Sequence, residues 1–400
     1  MLQDNESIMI KAFRSSPAAT LATSNDPERA TLDIGRSAVN LLLVLTIFLL
    51  AGCATRPGSD SLVPAAVSAP GAKLVTVFVA TNRLPDGVGY GSGRAAELRY
   101  EELTISIPPG HRPGNIEWSQ DRQQDPDVSF VTVRRQRLDE SGFRQRIASR
   151  AKAGGQVGVF VHGYNYSLQE AVFRLAQLGA DIGDVTVPIL FSWPSEAAVA
   201  GYVADRDAVT YSRDHLAHVL RSLSRIRSNE RVALVGHSMG AWLVMETLRQ
   251  LRLEERDEVI KRFQVGLAAP DIDADVFRAQ VSVVGPLSPP LTVLVSTDDR
   301  ALAVSSRLAG DRPRVGGLNV ADPLMQEVAR REGIRFVDIS SLEASDGFNH
   351  DRFVQFALQS GVTAQGGANS LQQAGAFVFN AAGAVVSSPF TLAGRALAGQ

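Results

Sequence analysis

Val232-Ala233-Leu234-Val235-Gly236-His237-Ser238-Met239-Gly240, followed at once by a helical pattern over residues 241–253, is the stretch that decides how this chain folds. A short aliphatic run reads as a buried strand, and the apolar spacing after it reads as a helix. Between them there is room only for a turn at Ser238. A chain that reverses directly from strand to helix crowds the positions two before and two after the tip. Glycine stands at both, Gly236 and Gly240, where a Cβ would clash. The serine hydroxyl then projects above the sheet beside a helix amino terminus, which favours developing negative charge.

Further apolar runs flank this one at residues 157–161, 188–192, 263–267, 291–295 and 334–337, separated by helical patterns. The alternation predicts an α/β fold with a mostly parallel, doubly wound sheet and crossover helices. Ahead of it, residues 74–80, 103–107 and 128–133 read as antiparallel entry strands. The glycine-rich stretch 87–93 has no helix after it, so it reads as a flexible loop and not as a dinucleotide site. Only about 20 residues, including Pro286, Pro289 and Pro290, separate Ala268 from Leu291, too few for a large cap domain. The site beyond the strand ends is therefore expected to be open.

Composition narrows the function classes. In 400 residues, 45% are hydrophobic and 20% charged, enough apolar surface for a core and incompatible with a wholly disordered chain. Forty basic and 42 acidic side chains leave a net charge of −2, which gives no electrostatic basis for a nucleic-acid partner. The one cysteine, Cys53, excludes an intramolecular disulfide, a thiolate zinc site and an iron–sulfur cluster.

With the serine turn, the stretch His162-Gly163-Tyr164-Asn165 makes residues 73–360 resemble an α/β hydrolase, similar to a group of bacterial esterase/lipase-like proteins of uncharacterised function. The resemblance implies an α/β-hydrolase fold without a large cap and a chain order of nucleophile, acid, histidine. Ser238 is then the nucleophile. Of the six histidines, only His350 follows both Ser238 and its acid, in the loop 346–350 ahead of a helical pattern; it is the expected general base. The acid is expected in Ser296-Thr297-Asp298-Asp299-Arg300-Ala301-Leu302. Asp299 is preferred because a helix start follows it, with Asp298 as the neighbouring alternative.

The oxyanion-hole donors implied are the backbone N–H groups of Met239 and Tyr164, with His162 shaping the loop. His237 is read as packing under the turn, and Asp271 and Asp273 as helix caps. His215 and His218, at i, i+3 near Asp214, read as a solvated helix face and not as a metal pair. His111 stands alone between prolines, and no metal or cofactor is expected. Trp193-Pro194, Tyr202 and Tyr211 suit the rim of the site and core packing equally well.

At the amino terminus, Arg36 precedes an uncharged stretch, 37–55, whose centre at 41–50 is almost wholly aliphatic. Such a run is short of the ~20 residues a membrane-spanning helix needs, but it suits the core of an export signal. It ends Leu50-Ala51-Gly52-Cys53, which resembles the bacterial lipoprotein lipobox. The resemblance implies that Cys53 becomes the first residue of the mature chain and carries a diacylglyceryl thioether. It places the protein in the bacterial envelope, on the outer membrane where the cell has one, because Ala54 and not aspartate follows. The 35 residues before Arg36 are of mixed charge, unlike a short basic leader, and predict a later translation start.

Residues 54–72 are Ala, Pro, Gly or Ser at 13 of 19 positions and read as a flexible tether lifting the folded part off the lipid. Residues 363–400 carry one charge, Arg395, and suit a disordered tail or a membrane-contacting helix. The expected organisation is a signal at 1–52, a tether at 53–72, a hydrolase domain at 73–362 and a tail. The expected activity is ester hydrolysis through an acyl-enzyme. An amidase, thioesterase or acyl transferase on the same triad, or a non-catalytic envelope scaffold, are its competitors. Radiolabelled palmitate should enter the wild-type protein and be lost in Cys53→Ser; a mature chain still beginning at Met1 would contradict the export reading.

Overall fold

The computed structural model describes residues 56–364 apart from 66, 120–123, 154, 183–185 and 227–230, together with 377–379 and 385–386. The serine-bearing run forms β6 (Val232–His237), a strand near the middle of one sheet. Its parallel neighbours are β4 (Gln156–Val161) and β7 (Phe263–Ala268). Outward on one side come β5 (Thr186–Ser192) and β1 (Lys73–Asp86), both parallel to β4. On the other come β8 (Thr292–Val295) and β9 (Arg335–Asp338), also parallel. Antiparallel strands close both edges: β2 (Gly89–Ile107) and β3 (Val131–Leu138) beyond β1, and the short β10 (Phe377–Phe379) and β11 (Val385–Val386) beyond β9. This is the mostly parallel, helix-flanked sheet of an α/β-hydrolase fold.

The helices are α1 (Glu140–Lys152), α2 (Leu168–Ile182), α3 (Tyr202–Ser224), α4 (Met239–Leu253), the single turn α5 (Asp257–Ile260), α6 (Ala274–Val284), α7 (Arg300–Leu308), α8 (Pro323–Glu332) and α9 (Phe353–Ala364). Two apolar layers result. Leu234 of β6 packs in one with Leu243, Val244 and Leu248 of α4 and Val209 and Leu216 of α3. Phe160 of β4 packs in the other with Val172 and Leu175 of α2 and Phe353 and Val354 of α9. Burial of both sheet faces is why the central strands are continuous aliphatic runs. Among the described residues, no helix is long and apolar enough to cross a membrane.

Four expectations are corrected. Gly87 and Val88 are the turn of a hairpin rather than a flexible loop, because Asp86 pairs with Gly89, Pro85 with Tyr90 and Arg83 with Arg94. The third entry strand begins at Val131, since Val128 and Ser129 are held in a turn by the carbonyl of Asp125. The tail ends the last helix at Ala364 and contributes β10, paired antiparallel to β9, and β11, paired antiparallel to β10; its other residues lie outside the described ones. Finally, residues 56–72 are not a free tether. Leu62 is fully buried in the α2 layer, Thr132 donates to the Ser61 carbonyl at 2.8 Å, and Ala65 N–H donates to the Thr132 carbonyl at 2.7 Å. The bias toward small residues describes the backbone's freedom, but one leucine and a few hydrogen bonds are enough to fix a strap. Leu62→Ala should lower stability by ~2–4 kcal/mol in urea titrations; a change within ~0.5 kcal/mol, as for an exposed tether residue, would contradict the docking.

Candidate active site

Ser238 sits between β6 and α4 with φ 54° and ψ −121°, a conformation that costs a non-glycine residue on the order of 1–3 kcal/mol. Its surroundings enforce that backbone. A Cβ on Gly236 would lie 2.7 Å from the Ala241 Cα, and one on Gly240 would lie 2.3 Å from the carbonyl oxygens of Val161 and His162. The Ser238 N–H donates to the Ala268 carbonyl at 2.9 Å, and its own carbonyl accepts from Ala241 and Asp271 N–H at 3.0 and 3.2 Å. Ser238 is thereby fixed to the ends of both β6 and β7.

His350 approaches from the loop after β9. Its Nδ1 lies 2.7 Å from Asp299 Oδ2, and because a carboxylate only accepts, Nδ1 carries the proton and Nε2 is left to face elsewhere. Asp299 is buried and doubly committed: it caps α7 by accepting from Leu302 N–H at 2.9 Å through Oδ1 while Oδ2 holds the imidazole. The loop is held by His350 N–H on Asp346 Oδ1 at 2.9 Å and by Arg300 N–H on the Phe348 carbonyl at 2.9 Å. Burial works against the charged imidazole. The Asp299 charge and hydrogen bond, aided by Asp346 and Asp271, outweigh burial and raise the His350 pKa above its usual value.

The neighbouring Asp298 faces another way. Arg352 holds it, with Nη2 2.8 Å from Oδ2, and Ser296 donates to it at 2.9 Å. The guanidinium keeps this carboxyl well below the usual carboxylate range. The serine and histidine loops meet through His237. Its ring lies 4.7 Å from that of His350 and 4.5 Å from that of Phe353, and its Nε2 faces the His350 carbonyl at 3.4 Å. Burial, followed by the charge of His350, lowers the His237 pKa well below the normal value, so it packs under the turn as a neutral ring.

On the other side of the serine, Gly163 has no room for a side chain: a Cβ would lie 3.0 Å from Ser238 Cβ and 3.0 Å from His237 Nδ1. The loop from His162 to Asn165 therefore passes against the serine and brings Tyr164 beside it. Met239 opens α4, so its N–H has no acceptor within the helix.

Residues 139–363, more than half the chain, match the family described as "Alpha/beta hydrolase of unknown function (DUF900)". The chain belongs to this α/β-hydrolase family. No curated protein matches it. Similar solved structures include esterase Est22, 13% identical over 90% of this chain and 97% of that one, with a TM-score of 0.33. A dienelactone hydrolase-like promiscuous phosphotriesterase, P91, from metagenomic libraries is 16% identical over 74% and 96%, with a TM-score of 0.32. An esterase B from Lactobacillus rhamnosis is 12% identical over 64% and 89%, with a TM-score of 0.29. Likeness this distant carries no argument about the reaction, which has to be read from the hydrolase's own residues.

Behind these loops lies a buried polar scaffold that the sequence did not signal. Arg83, 1% exposed, donates to Ser192 Oγ at 3.0 Å and to the carbonyls of Gly91, Ser195 and Tyr166 at 3.1, 3.0 and 2.7 Å. Burial lowers its pKa to about 10 against the pull of Asp205, Glu170 and Glu196. His162 stacks on Trp193 at 4.9 Å and contacts Ser192 Oγ at 3.1 Å; burial, then the nearby Arg83 charge, pushes its pKa down to about 3. Asp205 accepts from Ser195 Oγ at 2.6 Å, Glu196 N–H at 2.7 Å and Asn165 N–H at 3.3 Å, tying the loop after β5 to the one after β4.

Of the pair expected to cap a helix, only Asp273 does so, accepting from Asp275 and Val276 N–H. Asp271 instead turns inward, where Tyr202 and Ser305 donate to it at 3.0 and 2.5 Å and Arg314 pairs with it at 3.2 Å. Tyr202 borders the site edge-on to Tyr164 at 5.4 Å, whereas Trp193 is fully buried and Tyr211 bonds the distant Ala95 carbonyl. His215 and His218 bond separately to the Ala96 carbonyl and Glu140, and His111 bridges Glu117 and Asp181 at 2.7 and 2.9 Å. No cluster of three His, Cys, Asp or Glu suited to a metal occurs among the described residues. In an NMR titration, His350 should titrate above ~6.5 and fall in Asp299→Asn, while His162 stays neutral at pH 5. A His350 value below the ordinary one in the folded wild type would contradict this electrostatic reading.

Proposed function

We propose that this hydrolase cleaves carboxylic esters through a covalent acyl-enzyme, with Ser238 as nucleophile, His350 as general base and acid, and Asp299 as the carboxylate that orients the imidazole. The observation that carries the reading is the 2.7 Å bond between His350 Nδ1 and the buried Asp299. It fixes the tautomer whose free Nε2 accepts a proton, on a loop tied through His237 to the strained serine turn. Ser238 Oγ attacks the ester carbonyl carbon as His350 takes its proton. The tetrahedral oxyanion is met by the N–H groups of Tyr164 and Met239. The carbon–oxygen bond to the leaving alcohol breaks, and His350 returns the proton to that oxygen. Water, deprotonated by His350, then attacks the acyl-enzyme and releases the carboxylic acid with Ser238 restored.

The second part of the proposal is the place of action. Cys53, which lies outside the described residues, ends an uncharged aliphatic run of signal length and carries the lipid anchor that holds the enzyme in the envelope. Two acyl chains on one cysteine suffice for stable membrane attachment, where one is marginal.

The test is hydrolysis of a series of p-nitrophenyl esters beside matched anilide and thioester substrates. Ester turnover should exceed anilide turnover and fall about 10⁶-fold in Ser238→Ala. Because the base must be neutral and its pKa is raised, kcat/KM should decline as pH falls through a value above ~6.5. Preference for the anilide, or activity surviving in folded Ser238→Ala, would overturn the proposal.

A further inference from the structure

The docked strap changes where the mouth of the site must sit. Arg56 is clamped at the edge of the oxyanion loop: Nη1 donates to Asn165 Oδ1 at 2.7 Å, Nη2 to the Asn165 carbonyl at 2.5 Å, and Nε to Glu170 Oε1 at 2.8 Å. It also donates to the carbonyl of Ala197. Asn165 is the residue after Tyr164 and holds a left-handed backbone, φ 62°. The strap continues with Gln169 donating to the Pro57 carbonyl at 2.7 Å, and Leu62 anchors it in the core. Two residues, Ala54 and Thr55, lie between Cys53 and Arg56, and even a fully extended chain spans at most about 11 Å over those three steps. The lipid on Cys53 therefore cannot lie far from the oxyanion loop.

Three large apolar side chains are exposed on the segments around that place, among charged neighbours such as Glu196 and Arg206. Val199 is 59% exposed, and its carbonyl accepts from the Tyr164 hydroxyl. Val203 is 74% exposed and follows Tyr202, whose ring meets Tyr164. Phe348, two residues before His350, is 42% exposed. Val199 and Val203 thus adjoin the Tyr164 side of the site, where Arg56 meets the Ala197 carbonyl, and Phe348 lies on the loop that carries His350.

We propose that the Arg56 clamp holds the mouth of the site against the lipid leaflet that anchors Cys53, so that the substrate is an ester of an amphiphile resident in that leaflet. This rests on the ester-hydrolase and lipid-anchor readings above. The enzyme does not stand off on a tether. Its anchor, oxyanion loop and apolar rim form one face, and a substrate enters from the lipid with its acyl chain still in the leaflet.

The full lipidated protein in phosphatidylethanolamine/phosphatidylglycerol vesicles tests the orientation without reference to activity. The thioether consumes the natural thiol, so Val203→Cys and Leu253→Cys each offer one site for a bimane label. Leu253, 57% exposed, ends α4 about 20 Å from the serine turn. On protein that floats with the vesicles, the label at 203 should shift to the blue and be shielded several-fold from aqueous iodide relative to the label at 253. Equal quenching at the two positions on floating protein would overturn the leaflet-facing orientation alone, and a protein that does not float would overturn the anchor and the orientation together.

A second arm inserts ~20 Gly/Ser residues between Ala54 and Thr55, which keeps the anchor and the Arg56 clamp but frees the height. Hydrolysis of a vesicle-embedded diacylglycerol analogue should fall roughly tenfold as effective concentration drops, while hydrolysis of soluble p-nitrophenyl butyrate stays constant. Unchanged turnover of both would overturn the substrate assignment. Absence of turnover of either ester by the folded enzyme without the insertion would instead count against the ester-hydrolase reading.

Discussion

The backbone of Ser238 can hold φ 54° only because three neighbouring positions have no side chain. Gly236 lets the strand fold back on Ala241, Gly240 lets α4 press on the end of β4, and Gly163 lets the next loop lie against the serine Cβ. A Cβ at Gly236 or Gly240 would meet backbone atoms at 2.7 and 2.3 Å, which no side-chain shift relieves, and one at Gly163 would press on the Ser238 Cβ and the His237 ring at 3.0 Å. Strain at the serine and close approach of three chain segments are thus one constraint. It holds the serine at the strand end, between the start of α4 and the loop that carries Tyr164. The chemistry available to the site follows from that packing.

Charge is arranged around the serine by burial and pairing. Two carboxylates adjacent in sequence are sent apart, Asp298 to Arg352 and Asp299 to His350, because Asp299 is also the cap of α7 and must turn toward the helix and the sheet end. Three histidines near the serine differ accordingly. His162 and His237 are kept neutral by burial, whereas His350 beside its carboxylate is biased toward the charged form. Only the last has the electrostatic support to hold a proton taken from a nucleophile. A buried arginine, Arg83, fastens the loops after β4 and β5 from beneath. Its removal would leave the Ser195 and Tyr166 carbonyls without this donor.

The central strands were legible because a strand buried on both faces is a continuous aliphatic run. The elbow was legible because its glycines answer a local steric demand. The pairing of Asp299 with His350 was expected only from the family's chain order, with Asp299 set ahead of Asp298 by the helix start at Arg300. What the residues could not disclose depends on distant partners. The glycine-rich stretch at 87–93 becomes a hairpin only through pairs such as Arg83 with Arg94. Asp271 and Asp273 look alike as caps, and only the approach of Tyr202, Ser305 and Arg314 separates them. The strap at 56–72 has tether composition, and its fate turns on Leu62 and Arg56, whose partners lie in α2 and the loop ahead of it.

The central claim is that the strained serine is the residue that becomes acylated. Peptide mapping by mass spectrometry after reaction with a fluorophosphonate tests it most directly. One phosphonyl group per folded chain is expected, on Ser238, with its formation slowed strongly in His350→Ala. Modification at another residue, or none in a chain shown to be folded, would contradict it.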